Sequence, residues 1–176
     1  MKRKILTQIN IILLLFITIL HFTSCDYKYS WVDNVFFDYR FKPVLRNGDF
    51  SVSATMRNSS ITELDLTKQE VVDIKASNAW IEVAGPFVDG DMVNIKNIIV
   101  NKDTLPLNYS KVVQETATDE RIYFENDTAY MRFMQKTLDK MVKDGYVNVK
   151  VNGSINTEKS KIYVTLCHNV DIYVRE

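Results

Sequence analysis

Two kinds of apolar pattern divide this chain. Near the N-terminus an almost unbroken apolar run extends from Ile11 to Leu20, interrupted only by Thr18, behind the cluster Lys2-Arg3-Lys4. Beyond Asn34 apolar residues recur at every second position, the spacing of strands that bury one face. Phe37, Tyr39 and Phe41 alternate with Asp38, Arg40 and Lys42, and Phe50, Val52, Ala54 and Met56 with Ser51, Ser53, Thr55 and Arg57. Asn47-Gly48 between them tolerates positive φ at both positions and predicts a hairpin. Leu64 and Leu66 suggest a short strand. Val72, Ile74 and Ala76 carry one parity and Ala79, Ile81 and Val83 the other, so a bend or bulge is expected near Asn78. Gly85-Pro86 closes that run. Val93 to Val100 forms a further strand, turning through Asn101-Lys102-Asp103 into Thr104 to Leu107. Pro106 has no N–H to give a neighbour and puts that piece at a sheet edge.

The period changes once. Tyr130, Met134, Leu138 and Met141 recur at helical spacing, with Met131 and Val142 beside them and Gln135, Lys136, Asp139, Lys140 and Lys143 largely elsewhere. Asn126 and Asp127 are candidate N-caps, and Gly145 suits the left-handed position after the last turn. Alternation then resumes with Val147, Val149 and Val151, and a turn is expected from Asn152-Gly153. Ile162, Val164, Leu166, Val170, Ile172 and Val174 share one parity over a long final strand, expected to be central. The sum is a mainly β domain: an antiparallel two-sheet sandwich of Ig-like or Greek-key type, with one amphipathic helix before the last hairpin.

The first apolar run is shorter than the roughly 20 residues that span a bilayer. A basic start, a short apolar core and a small residue before the cut make a secretory signal. Phe22-Thr23-Ser24-Cys25 resembles the lipobox of bacterial lipoproteins, with Phe22 where leucine is usual. The resemblance implies cleavage by signal peptidase II between Ser24 and Cys25, a diacylglyceryl group on the Cys25 sulfur and an acyl chain on its amino group. Residues 1–24 are then the signal, 25–34 a lipidated tether without period, and 35–176 a single β-sandwich domain. The whole resembles small envelope lipoproteins of Bacteroidetes-type bacteria. It implies anchoring to a bacterial membrane, the outer membrane favoured and the leaflet open.

The 22 basic and 22 acidic residues balance. Losing Lys2, Arg3 and Lys4 with the signal leaves a slightly acidic domain. With no basic stripe, nucleic acid is not an expected partner. Cys25 committed to lipid leaves Cys167 alone, which excludes a disulfide framework and leaves a buried or half-buried thiol, which is favoured, or else an exposed thiol or an intermolecular link.

Catalytic chemistry is thinly represented. His168 is the one histidine beyond the signal and lies on the apolar parity of the last strand, which reads as a hydrogen-bonded core or strand-end histidine. It has no clustered metal-ligand partners, and nucleotide fingerprints and the Gly-x-Ser-x-Gly elbow are missing. Asp89/Asp91 and Asp119/Glu120 are carboxylate pairs, the first read as a solvated turn. No cofactor or metal is expected. Trp31, Trp80 and the nine tyrosines permit a carbohydrate- or peptide-binding face. Tyr163 and Tyr173, opposite the core parity with Thr165, Asn169 and Asp171 between them, offer one unless a second layer or the helix covers it. Asp103-Thr104-Leu105 and Asp127-Thr128-Ala129 resemble the Asp-Ser/Thr-apolar motif that Bacteroidetes-type bacteria O-glycosylate, making Thr104 and Thr128 candidate acceptors. The leading reading is a non-enzymatic binding or interaction module held on a membrane. The alternatives are a small lipid-anchored hydrolase or glycan-processing accessory factor, and a subunit of a larger surface assembly.

Overall fold

A computed structural model describes residues 27–41, 48–61, 64, 69–114, 121–124, 128–156 and 162–176, the backbone alone for 121–124. The described residues form eight strands and one α-helix, besides a 3-10 turn at Asn58–Ser60, in the order β1 (Tyr29–Arg40), β2 (Gly48–Arg57), β3 (Glu70–Ala84), β4 (Met92–Val100), β5 (Asp103–Val112), β6 (Arg121–Phe124), α1 (Thr128–Asp144), β7 (Tyr146–Ile155) and β8 (Tyr163–Arg175). The strands form two antiparallel four-stranded sheets, β1-β8-β3-β6 and β2-β7-β4-β5. The expected mainly β sandwich with a single helix ahead of the last two strands is the architecture found.

Connectivity differs from the expectation in two places. β1 and β2 lie in different sheets, so Asn47-Gly48 begins no hairpin; β1 pairs with β8 and β2 with β7. β7 and β8 are likewise divided between the sheets, and the final pair is an arch between layers. Among the described strands, consecutive partners share a sheet only at β4–β5, where Asn101, at φ 54°, opens the turn. β5 is the edge strand that Pro106 requires, set opposite Asn97.

β8 carries the first sheet. Val164, Leu166, His168, Val170, Ile172 and Val174 are all fully buried. Opposite them stand Phe37 and Val35 on β1, and Val83, Ile81, Ala79, Ala76, Ile74 and Val71 on β3. Strict alternation would lose this match on β3. Register shifts between Val71 and Asp73 and between Ala76 and Asn78 each insert one residue and return the apolar row to the core. The second is the bulge expected near Asn78. The first corrects the parity read for Val72, which is exposed while Val71 takes the buried place.

The segment 25–34 read as a tether is strand over its later part, from Tyr29 onward, and Tyr29 pairs with Arg175 at the end of β8. A shift between Val32 and Val35, with Asn34 at φ 54°, breaks the alternation there. Asn152-Gly153 is strand interior rather than turn, and β7 continues to Ile155. Gly153 faces Phe50 on β2, and a Cβ there would sit 2.3 Å from the Phe50 ring and 2.3 Å from the Asn94 carbonyl oxygen. Glycine is required because the backbone of the neighbouring strand β4 and an aromatic ring close over it. Leu64 is buried outside any strand, and Leu66, Asn126 and Asp127 lie outside the described residues.

α1 completes the sandwich where β6 is too short. β6 pairs with β3 only from Ile81 to Ala84. Below that, Gln135 of α1 accepts from the Ala76 N–H (2.8 Å) and donates to the Ile74 carbonyl (2.7 Å). One side-chain amide thus satisfies the edge that a neighbouring strand would otherwise cover. Tyr130, Met134, Leu138 and Met141 are fully buried against β3, β7 and β5, and Gly145 at φ 77° ends the helix.

Candidate functional site

The residues opposite the core parity of the first sheet define its outer face. β1 contributes Tyr29 and Trp31, then, after the bulge, Phe36, Asp38 and Arg40. β8 contributes Arg175, Tyr173, Asp171, Asn169, Cys167, Thr165 and Tyr163, and β3 contributes Glu70, Asp73, Lys75, Trp80 and Glu82. The face is polar and aromatic together. Tyr27, Tyr29, Trp31 and Phe36 are 55, 49, 42 and 47% exposed, large values for rings that ordinarily pay for their area by burial.

Two aromatic groups stand along it. At the N-terminal end of β1, Trp31 and Tyr29 lie 4.9 and 5.6 Å from the Tyr173 ring. The Lys75 ammonium sits 4.5 Å above Trp31 and the Arg175 guanidinium 4.7 Å above Tyr27, both in cation–π range. Arg175 also pairs with Glu70. Further along, Phe36 lies 5.9 Å from Trp80. Their surroundings are hydrogen-bonding: Asp171 accepts from the Asn34 N–H (2.9 Å), and the Ser77 hydroxyl donates to the Asn169 carbonyl (3.1 Å). The Trp80 indole N–H is buried without an acceptor.

The face is not open along its whole length. Cys167, Thr165 and Glu82 are buried toward the far end, beside exposed Asp38 and Arg40 on β1, whereas Tyr29, Trp31 and Phe36 are exposed. Tyr163 and Tyr173 are both half-buried, Tyr163 beneath Arg40 at 5.9 Å. Cys167 is the buried thiol the cysteine arithmetic favoured.

His168 is fully buried on the other face, stacked 5.4 Å from Phe37. Its position matches the expected core histidine; neither ring nitrogen makes a hydrogen bond of normal geometry, and the Phe37 backbone is the polar group that reaches toward the ring. Burial pushes its pKa down to about 4, offset in part by the polar backbone of Phe37 opposite. The imidazole is neutral at physiological pH and out of reach of any substrate in solvent. Asp91 also departs from expectation. It is buried, and its carboxylate accepts from the Val88 N–H (2.8 Å) to fix the turn at Gly90. Asp119 and Glu120 lie outside the described residues, as do Ser24 and Cys25. Among the described residues no three His, Cys, Asp or Glu side chains come together as a metal site. Thr104, on edge strand β5, and Thr128, the first residue of α1, are both exposed.

Sequence reasoning located Tyr163 and Tyr173 on this face and counted Trp31, Trp80 and the tyrosines as rings for a binding face, but it did not place Tyr29, Trp31 and Trp80 here and it missed Phe36. The signal was present in the aromatic density between Tyr27 and Phe37, yet the bulge at Asp33-Asn34 removes the period that would have marked a strand. Comparison of the chain with protein-family models and with curated proteins finds no match.

Proposed function

We propose that this protein is a bacterial envelope lipoprotein, anchored through lipid on Cys25, whose domain is a non-enzymatic binding module. Its ligand, a glycan or an extended protein segment, docks on the outer face of the first sheet around Phe36 and Trp80. The observation that carries this reading is the exposure of Phe36 on a sheet face where aromatic rings alternate with Ser77, Asn169 and Asp171. Rings supply stacking area at low entropic cost, and the amide, hydroxyl and carboxylate groups between them supply orientation. The burial of His168 supports the non-enzymatic half of the proposal, since the one histidine beyond the signal cannot act as a solvent-facing base.

The test is a binding screen of the domain from Asp26 onward against envelope polysaccharide fragments and peptides, followed through tryptophan emission. Phe36→Ala should weaken a hit about tenfold or more, about 1.4 kcal/mol, as truncation of a central aromatic anchor does. Tyr146→Ala, which removes an exposed ring on the other sheet, should leave it unchanged. A ligand whose affinity ignores Phe36 and depends on Tyr146 would overturn the assignment of the face.

A further inference from the structure

Only Asp26, Tyr27 and Lys28 separate Cys25 from the first residue of β1. A trans chain advances at most about 3.6 Å per residue, so the Tyr29 backbone lies within about 14 Å of the Cys25 backbone whatever path the link takes. That bound is short against a domain whose central strand, β8, has 13 residues and extends about 40 Å at strand rise. If Cys25 carries lipid, the end of the sheet bearing Tyr29 is therefore held within about 14 Å of the anchor, while the link places no such bound on the end bearing Arg40.

The chemistry of the near end fits that position. Tyr27, Tyr29 and Trp31 are the exposed rings there, joined by Tyr173. Tyrosine and tryptophan concentrate at the headgroup level of bilayers because each has an apolar body and a polar tip. Lys75 and Arg175 lie over two of these rings, so their stems are amphipathic additions to the same surface. The charges largely cancel: Lys28, Lys75 and Arg175 are set among Asp33, Glu70, Asp73 and Glu176, with Arg175 bound to Glu70. A near-neutral aromatic surface suits a zwitterionic lipid interface rather than an anionic one.

We infer that Tyr27, Tyr29, Trp31 and Tyr173 form an interfacial seat that rests the domain on the phospholipid headgroups beside its own lipid anchor. This rests on the lipidation of Cys25 proposed above. It makes the protein a domain of fixed orientation rather than one swinging on a tether. The Phe36–Trp80 group, four positions further along β8 at Asn169 than Trp31 is at Tyr173, then stands just above the headgroups.

The chain has two tryptophans, one in each group, Trp31 and Trp80. Full-length protein processed in its host envelope is reconstituted into phosphatidylcholine vesicles containing lipids that carry a nitroxide near the headgroup. With Trp80→Phe, the remaining Trp31 should be strongly quenched and its emission blue-shifted. With Trp31→Phe, the remaining Trp80 should be quenched far less. Added salt should change neither, and the pair Tyr29→Ser, Tyr173→Ser should relieve quenching of Trp31 while the lipid on Cys25 is retained. Mass analysis of the same samples separates the two ways of failing. Lipid present with Trp31 quenched no more than Trp80 overturns the seat alone, and Cys25 without lipid overturns the seat and the anchor together. Shielding of Trp31 in native envelope vesicles but not in phosphatidylcholine would give the surface to an envelope protein and overturn the lipid assignment.

Discussion

Replacing His168 by leucine should flatten the acid dependence of stability. His168 is sealed in the core against Phe37 with both ring nitrogens unpaired, and burial holds its pKa at about 4 against an ordinary 6.5. The folded state therefore binds the proton more weakly than the unfolded chain. Its contribution is complete above about pH 6.5, falls as pH drops through the window to about 4, and levels off below. A depression from 6.5 to about 4, at about 1.4 kcal/mol for each tenfold change in proton affinity, amounts to a loss of about 3 kcal/mol across that window. For a domain of this size that lowers Tm by about 6–12 °C. Carboxylates titrate nearby in pH, so the quantity to measure is the difference between the wild-type domain and His168→Leu, by thermal or urea unfolding at about pH 7 and about pH 4. At neutral pH the variant should be close to wild type, since removing both unpaired nitrogens offsets the lost ring stacking. At the lower pH it should be the more stable of the two by about 2–3 kcal/mol. Parallel pH profiles for the two proteins would refute the reasoning and place His168 where water or a partner can reach it.

Leu138→Ala should cost about 2–5 kcal/mol in denaturant unfolding, because Leu138 is fully buried midway along α1; Lys140→Ala, which loses an exposed pair with Asp103, should cost little. Gly153→Ala should destabilise by about 1–3 kcal/mol through collision with Phe50 and the fixed Asn94 carbonyl, whereas Phe50→Leu in the same background should recover part of the loss. If Thr104 and Thr128 carry glycans, intact mass from the native host should exceed the mass of the lipidated polypeptide, and the excess should fall in Thr104→Ala and Thr128→Ala; a mass explained by polypeptide and lipid alone would remove both sites.

The sandwich was legible in sequence wherever a strand has one wet face. β2, β7 and the inner row of β8 alternate cleanly, and the single change of period marks α1. Pro106 announced an edge because a missing N–H has the same consequence in any sheet. Alternation does not say which sheet a strand joins, so β1–β2 and β7–β8 read as hairpins when they are arches between layers. Bulges cost more. At Val72 one inserted residue exchanged buried and exposed positions, and at Asp33-Asn34 it hid the first half of β1 together with Tyr29 and Trp31. β6, with four residues, is too short to show a period at all. The unpaired state of His168 is likewise invisible in sequence, because parity gives its burial but not the neighbours that fail to bond it.

The proposed anchoring and orientation both depend on Cys25: if it carries lipid, the near end of the first sheet lies at a membrane. Intact mass of the wild-type protein extracted from its host envelope measures this in one step. The account predicts a chain beginning at Cys25 that carries a diacylglyceryl group and an amide-linked acyl chain, with Cys25→Ser accumulating as the uncut 176-residue precursor. A wild-type chain that is uncut, or that begins elsewhere and carries no lipid, would contradict it.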